Sequence, residues 1–586
     1  MRKSRLLRFV IYSLFFFLFL TLSFSCKRES MRTTASPIPE QEKGSDFSYV
    51  PEPHERMRLG QSFGNPYSLA SIQRAYDTLL ALQGETEFPR LNPTHLYIRF
   101  LPRDTGEYNA LRRVGLELFS YPLDRIPSTG LAPYHDPTLP PSAITWQYTT
   151  IQVGQSIPDV LHEVLEECFL PPGANGSDPN VPGQIEETIW RYVELISLFQ
   201  HGLVNELDLE DFDEVEDAPV SLRLLGKNNT RFNPFGWFWK KIKKILPTIR
   251  FPQGTIRVYD TQDAGYVPAQ RLRVRCHLGV YWSSTRTDRN GHYVMSTGFL
   301  VSPYYSLHFD YAEGVSLWGN WAFFAEATYY AGFHSRAGYS RDVGREAGIW
   351  DWITVGNAVV YYYDYCDQFG IMPPPGGLKI AVFTKWRVAA TCMLHHVRQP
   401  MAFMTNKHWI NFFSVLFFYP LTRELSNLLF AGLPDLVIGT PGYNSRDVFG
   451  TTCHELSHAS HFSQVGSMYW RDDMQYVATY GAYGDGTGKN AGVCAVVEMW
   501  GYAMEVYLTK RRYGIENTAL LRANWFKPSK IYKLMVHNEL SSKEIFDCLT
   551  PHIRSVEGLR QALFNAYPNK IDLIYAAFQP DLLEDF

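Results

Sequence analysis

Thr452-Cys453-His454-Glu455-Leu456-Ser457-His458-Ala459-Ser460-His461-Phe462 contains the pattern His-Glu-x-x-His. On a helix, residues i and i+4 stand one above the other on the same face. His454 and His458 can therefore turn two imidazoles toward one Zn²⁺. Glu455 follows the first of them and can reach a metal-bound water, which makes it the candidate general base. His461 falls on the same face one turn later. Three ligands from one straight helix are geometrically awkward, so His461 is expected behind the ligands, facing substrate, or as an ordinary surface histidine.

The flanks agree with this reading. Leu433 to Gly439 reads as a short buried strand, and Thr440-Pro441-Gly442-Tyr443 as a turn. Asn444 or Ser445 can cap a helix, with Asp447 in its first turn where the dipole favours a carboxylate. The spacing predicts a helix to about Ser463, with Gly466 able to end it. A strand, a turn and a capped helix carrying this motif resemble the zincin proteases. A catalytic zinc needs a third protein ligand and an open position for water. The metzincin subgroup requires a Gly and then a His downstream, and no Gly-x-x-His follows His461. Glu498, in Ala495-Val496-Val497-Glu498-Met499-Trp500-Gly501-Tyr502-Ala503-Met504-Glu505, is the better candidate. A Glu on a downstream helix resembles the gluzincin arrangement. Glu505, two turns further on the same face, is the competing third ligand. Gluzincins often carry an Asp four residues after the third ligand; here that position is Tyr502, so the ligands must be supported differently. Tyr502, Tyr480 and Tyr483 are candidate donors to the developing oxyanion.

Other parts of the chain set the context. At 586 residues it is expected to hold several domains. A formal net charge of −4 offers no argument for a nucleic-acid partner. Arg2, Lys3, Arg5 and Arg8 precede an apolar run from Phe9 to Leu22, the pattern of a secretory signal (1–25). Ser23-Phe24-Ser25-Cys26 resembles a bacterial lipobox, which implies lipidation of Cys26 and a membrane-anchored lipoprotein of the cell envelope. Residues 26–60 are polar and proline-bearing and read as a tether. Besides Cys26, seven cysteines show no close spacing, which excludes a dense disulfide framework. Cys453 and Cys494 read as small buried residues.

The fold class expected is multidomain: an α+β N-terminal domain (61–205), a charged connector (206–250), a β-sandwich middle module (251–318) and a mainly α zincin-like domain with a helical C-terminal lobe (319–586). In the first domain, Leu69 to Leu82, Pro158 to Phe169 and Ile185 to Phe199 read as helices. Thr94 to Leu101, Val114 to Phe119 and Trp146 to Val153 read as strands. His95 and His162 read as structural. Trp237 to Leu246 is aromatic and basic, a packed amphipathic connector rather than a membrane-surface segment. Asp288-Arg289-Asn290-Gly291 between alternating runs predicts a hairpin, and Thr287 to Tyr293 resembles the turn of carboxypeptidase-regulatory-like β-sandwiches. The glycine-rich stretch Gly481 to Gly488 reads as a flexible connection. Together these readings imply a zinc-dependent peptidase acting on peptide or protein. The alternative is a non-catalytic surface lipoprotein that binds a protein or glycan partner and carries a structural zinc.

Overall fold

The computed structural model describes residues 57–131, 134–139, 143–180, 182–214, 236–242, 244–319, 326–384, 389–391, 393, 395–397, 434–480, 483–522 and 525–579. The signal segment, Cys26 and nearly all of the tether lie outside the described residues. The fold is mixed α/β, with several small sheets in the middle and a mainly helical C-terminal region.

In the N-terminal region, His95–Phe100 lies between Gln147–Gln152 and His162–Cys168, antiparallel to both. The Leu69–Gln83 helix, capped by the Ser68 hydroxyl and closed by Gly84 at φ 89°, packs on the Glu187–Gln200 helix. Two expectations fail here. Pro158 to Phe169 is not a helix but contains the His162–Cys168 strand. This strand sits at the sheet edge with every residue except Cys168 exposed, so no period-two burial marks it in the sequence. Val114 to Phe119 forms no strand; Phe119 alone bridges to Tyr148. His95 is buried beside the Thr94 hydroxyl, and burial lowers its pKa to about 4.

The middle region holds two sheets. One runs Tyr281–Arg286, Arg273–Leu278, Tyr304–His308, Thr328–Phe333, all antiparallel. The other is built on Gln253–Asp260, which pairs antiparallel with His292–Val294 and Gly265–Pro268 and parallel with Arg341–Val343. The Asn290-Gly291 turn is therefore not a hairpin: its two flanking strands enter different sheets. Asp288 Oδ1 accepts the Asn290 and His292 N–H groups and shapes the turn. Gly291 is required at φ 74°, and a Cβ there would strike the Ile256 carbonyl. The hairpin forms instead at Gly279-Val280, between Arg273–Leu278 and Tyr281–Arg286.

Charged side chains bind the first two regions together. Arg112, from the Thr105–Arg113 helix, reaches Asp310 and Glu326. Arg273 joins Glu117 and Asp310, Arg275 joins Glu117, and Arg286 joins Asp310. Trp237 to Leu246 also packs inward, as a short Gly236–Ile242 helix and an Ile245–Leu246 strand. Phe238, Ile242 and Ile245 are buried, and Phe238 stacks on Phe199 at 3.7 Å.

In the C-terminal region, Val315–Trp318, Leu378–Phe383 and Leu436–Gly439 run parallel, and Ala389–Thr391 closes the edge antiparallel. Val315–Trp318, read from sequence as part of the middle module, belongs to this sheet. Beside it pack the Trp350–Phe369 and Ser445–Tyr480 helices, and Ala491–Tyr513 packs on the latter. Asn444 caps the second of these by accepting the Asp447 N–H. Gly466 (φ 77°, ψ 177°) does interrupt that helix, but a second helical stretch continues directly to Tyr480. Ala491–Tyr513 ends on Lys510, Arg511 and Arg512 before Gly514 at φ 69°. Four helices, Ser529–Val536, Ser542–Asp547, Val556–Ala566 and Ile571–Phe578, complete this region. One apolar cluster runs through the molecule from Met57 to Ala577.

Candidate metal centre

Two helices, Ser445–Tyr480 and Ala491–Tyr513, build the site by approaching closely. Close approach needs small residues at the crossing. A Cβ on Gly501 would fall 2.5 Å from His458 Cε1 and 3.0 Å from His454 Cε1. One on Gly450 would fall 3.2 Å from Glu505 Oε1. These two glycines make room for the imidazoles and for Glu505. Trp500 Nε1 donates to the Ser457 carbonyl, fixing the register between the helices.

The crossing gathers His454, His458 and Glu498, whose ligand atoms all lie within 4.8 Å of one another. The Nε2 atoms of the two histidines are 2.9 Å apart. Glu498 Oε2 is 3.5 Å from His454 Nε2, and Glu498 Oε1 is 3.7 Å from His458 Nε2. Two imidazoles on a tetrahedral Zn²⁺, with bonds of about 2.0–2.1 Å, hold their nitrogens about 3.3 Å apart. The three groups therefore fit a divalent cation with little adjustment. Glu505 takes a different place: its Oε2 lies 3.2 Å from Nδ1 of His454, on the far side of the ring. That position orients the ring and is unsuited to coordination alongside Nε2. Glu498, not Glu505, is the carboxylate that clusters with both Nε2 atoms.

The electrostatics describe a site short of positive charge. Burial disfavours a charged His454, but hydrogen bonds that it donates to Glu498 and Glu505 outweigh it and raise the pKa to about 10. Burial, with His454 and His461 nearby, pushes His458 well below the ordinary histidine value. Burial raises Glu455 to about 7, against the lowering pull of His454 and Thr391, and raises Glu498 as well. Glu455 Oε2 accepts the Thr391 hydroxyl at 2.6 Å, and its backbone carbonyl accepts the same group at 2.9 Å. Thr391 belongs to the edge strand Ala389–Thr391, so the sheet holds the carboxylate in place.

The remaining expected residues separate. His461 is fully buried, not a surface residue, and lies against Tyr469 and Trp470. Neither of its ring nitrogens has a hydrogen-bond partner among the described residues, and burial lowers it to about 3. Tyr502 places its ring 4.6 Å from that of His454, edge to face, and its hydroxyl meets Tyr483 at 3.0 Å. Tyr480 is exposed and its ring lies on Tyr476. Residues 483–488 of the glycine stretch are tied down: Gly486 N–H donates to the Tyr476 hydroxyl, and the Tyr483 carbonyl accepts from Tyr476 and from Trp525 Nε1. Cys453 and Cys494 are free and buried.

Gly501, Glu505 and Thr391 are contributors whose roles sequence reasoning did not identify. Glu498, Gly501, Tyr502 and Glu505 follow i, i+3, i+4, i+7, one helical stripe, which is the signal that carried them. Thr391 carries no comparable signal, because its position depends on strand pairing. Compared with known proteins, the chain matches no family model and no curated protein sequence.

Proposed function

We propose that the chain is a zinc-dependent metallopeptidase of gluzincin type that hydrolyses peptide bonds, held at the cell envelope through lipidated Cys26. The observation that carries this reading is the convergence of His454, His458 and Glu498 with Glu455 fixed beside them. A bound Zn²⁺ would supply Lewis acidity toward the scissile carbonyl and acidify its water. His454, His458 and Glu498 would hold it, with Glu505 orienting His454. Glu455 Oε2 is occupied by Thr391, so Oε1 accepts the proton of the attacking water and passes it to the leaving amine. A carboxyl poised near pKa 7 suits both transfers. Tyr502, over His454, is the tyrosine best placed to donate to developing negative charge on the carbonyl oxygen.

One observation favours the alternative, a surface lipoprotein with a structural zinc: His454, Glu455, His458 and Glu498 are each less than 5% exposed. A structural site is closed, whereas a catalytic one keeps a position open. Metal analysis together with hydrolysis of casein and of quenched peptides separates the two. The peptidase reading expects about one Zn²⁺ per chain and chelator-sensitive turnover. It further expects Glu455→Gln to keep the metal and lose on the order of 10²-fold in turnover. A stoichiometric zinc with no hydrolysis of either substrate by the parent protein would leave the structural role. Full activity of Glu455→Gln would reject the mechanism.

A further inference from the structure

The strand His162–Cys168 is an open edge of the three-stranded N-terminal sheet. One side of it pairs with His95–Phe100. On the other side Ser68 bridges to Cys168, and no described segment pairs with residues 162–167. These six residues, about 20 Å of extended chain, turn unpaired N–H and C=O groups outward. Every side chain along them is exposed. Val164 (52% exposed) and Leu165 (37%) lie within the stretch, and Leu161 (62%) just before it. A strand edge with exposed apolar side chains is a template for one more strand.

Charge selects what can add there. Glu163, Glu166 and Glu167 lie along the edge. Arg99 engages Glu163, Asn65 donates to Glu166, and Glu167 is exposed. Arg103, just past the paired stretch, is matched by Glu107. The surroundings have the same sign: residues 61–205 hold sixteen Asp and Glu against eight Arg and no Lys, a formal net charge of −8 where the whole chain carries −4. A second copy does not fit this edge. Two such strands side by side would bring six glutamates together with two arginines, and like charges on facing strands oppose pairing. The glutamates thus guard the edge against a like strand and leave it open to a cationic one. The register orders the faces. Glu163 and Glu166 stand opposite Arg99 and Tyr97, which share one face of the sheet, while Val164 stands opposite Ile98 on the other. A strand that alternates lysine with valine sets its lysines beside Glu163 and Glu166 and a valine beside Val164.

We infer that the open edge of His162–Cys168 binds an extended cationic polypeptide segment by strand addition, at a site separate from the metal centre. The test uses dansyl-labelled octapeptides in three forms. One alternates lysine with valine, and one alternates glutamate with valine. The third is the lysine form built with D-valine, which keeps the charge but puts both kinds of side chain on one face of an extended chain. Fluorescence anisotropy is measured on the full chain carrying Glu455→Gln, so hydrolysis does not interfere and the outcome does not depend on whether the parent is a peptidase. The all-L lysine form is expected to bind about ten-fold or more tighter than either of the others, the scale of one charge-assisted pair. Glu163→Gln with Glu166→Gln should remove about ten-fold of that affinity. Val164→Lys, at an exposed position, should weaken it by a similar factor and leave the oligomeric state of the chain unchanged. A D-valine form that binds as tightly would leave charge attraction without strand addition and overturn the proposal. Equal binding of the glutamate form, an indifferent double variant, an indifferent Val164→Lys protein, or no binding of the lysine form would each overturn it as well. So would a dimer in sedimentation that Val164→Lys abolishes, since the edge would then belong to a second copy.

Discussion

Two buried clusters of charge behave in opposite ways. In the first, Arg112, Arg273, Arg275 and Arg286 surround Glu117, Asp310 and Glu326. Burial alone would raise Asp310 and Glu117, but the arginines overcome it and hold both below the ordinary carboxylate range. In the second, Glu455, Glu498 and Glu505 surround two imidazoles, and the carboxylates raise His454 while burial lowers His458. There burial prevails, and Glu455 and Glu498 are raised. The first cluster is complete within the chain and joins two regions. The second lacks positive charge, and a divalent cation is what its donor atoms fit. The carboxylate shifts differ in direction because arginines surround the first cluster and burial dominates in the second.

Removing a ligand should give the largest effect. Glu498→Ala leaves two imidazoles for the metal, and affinity should fall by on the order of 10³-fold or more, read by competition with a chromophoric chelator. Glu505→Gln keeps the ligands and disturbs only the orientation of His454, so the loss should be about 10- to 100-fold. If Glu505→Gln loses the metal and Glu498→Ala does not, the two carboxylates have exchanged roles and the geometry of the site has been misread.

The same carboxylate-to-amide change should then divide the clusters in the metal-free protein. Asp310→Asn leaves Arg112, Arg273 and Arg286 without their shared partner and should cost about 3–5 kcal/mol. Glu498→Gln removes a carboxylate that burial already penalises. Its effect on metal-free stability should stay within about 1 kcal/mol, because the lost contact to His454 offsets the relief. Chemical denaturation of both variants in chelator checks this. Equal losses would erase the distinction.

Titration sharpens the contrast further. Glu455, raised to about 7, and Asp473, buried and raised to about 8, bind protons more tightly folded than unfolded. Their stabilisation is complete below about pH 4 and is lost as pH rises through those values. His454, raised to about 10, contributes stability below about pH 6.5 that is lost toward 10. Asp310 and Glu117, lowered, contribute stability above about pH 4 that is lost only on acidification. Metal-free protein should therefore lose thermal stability between pH 6 and 9, while the metal-loaded form, in which the His454 proton is displaced, should lose less over that range. Parallel pH profiles for the two forms would contradict the charge assignment.

How far the sequence foretold these features depended on how local their signals are. The motif, the Asn444 cap, the Gly466 break and the basic end before Gly514 depend on residues within a turn or two, and each was legible. His162–Cys168 was misread because a strand exposed on both faces leaves no alternation, while Glu163, Leu165, Glu166 and Glu167 favour helix by composition. The Asn290-Gly291 turn was located, but whether its arms pair with each other or with other strands is decided by the sheets. The role of Glu505 needed a fact no single helix contains, namely which side of His454 it meets.

The smallest difference expected concerns the tyrosines. Tyr502 and Tyr480 were equivalent as candidates in the sequence, yet one is buried against His454 and the other is exposed on Tyr476. Tyr502→Phe keeps the ring on His454 and removes only the hydroxyl that meets Tyr483. Metal content should not change, and stability should fall by about 0.5–1.5 kcal/mol, the net value of one hydrogen bond. If that hydroxyl also donates to the carbonyl oxygen as charge develops, kcat should fall by on the order of 10²-fold with KM nearly constant, since the bond strengthens only in the transition state. Tyr480→Phe should change none of these quantities. A loss of turnover in Tyr480→Phe equal to that in Tyr502→Phe would move the donor out of the helix crossing, and a rise in KM at constant kcat for Tyr502→Phe would make it a binding group instead.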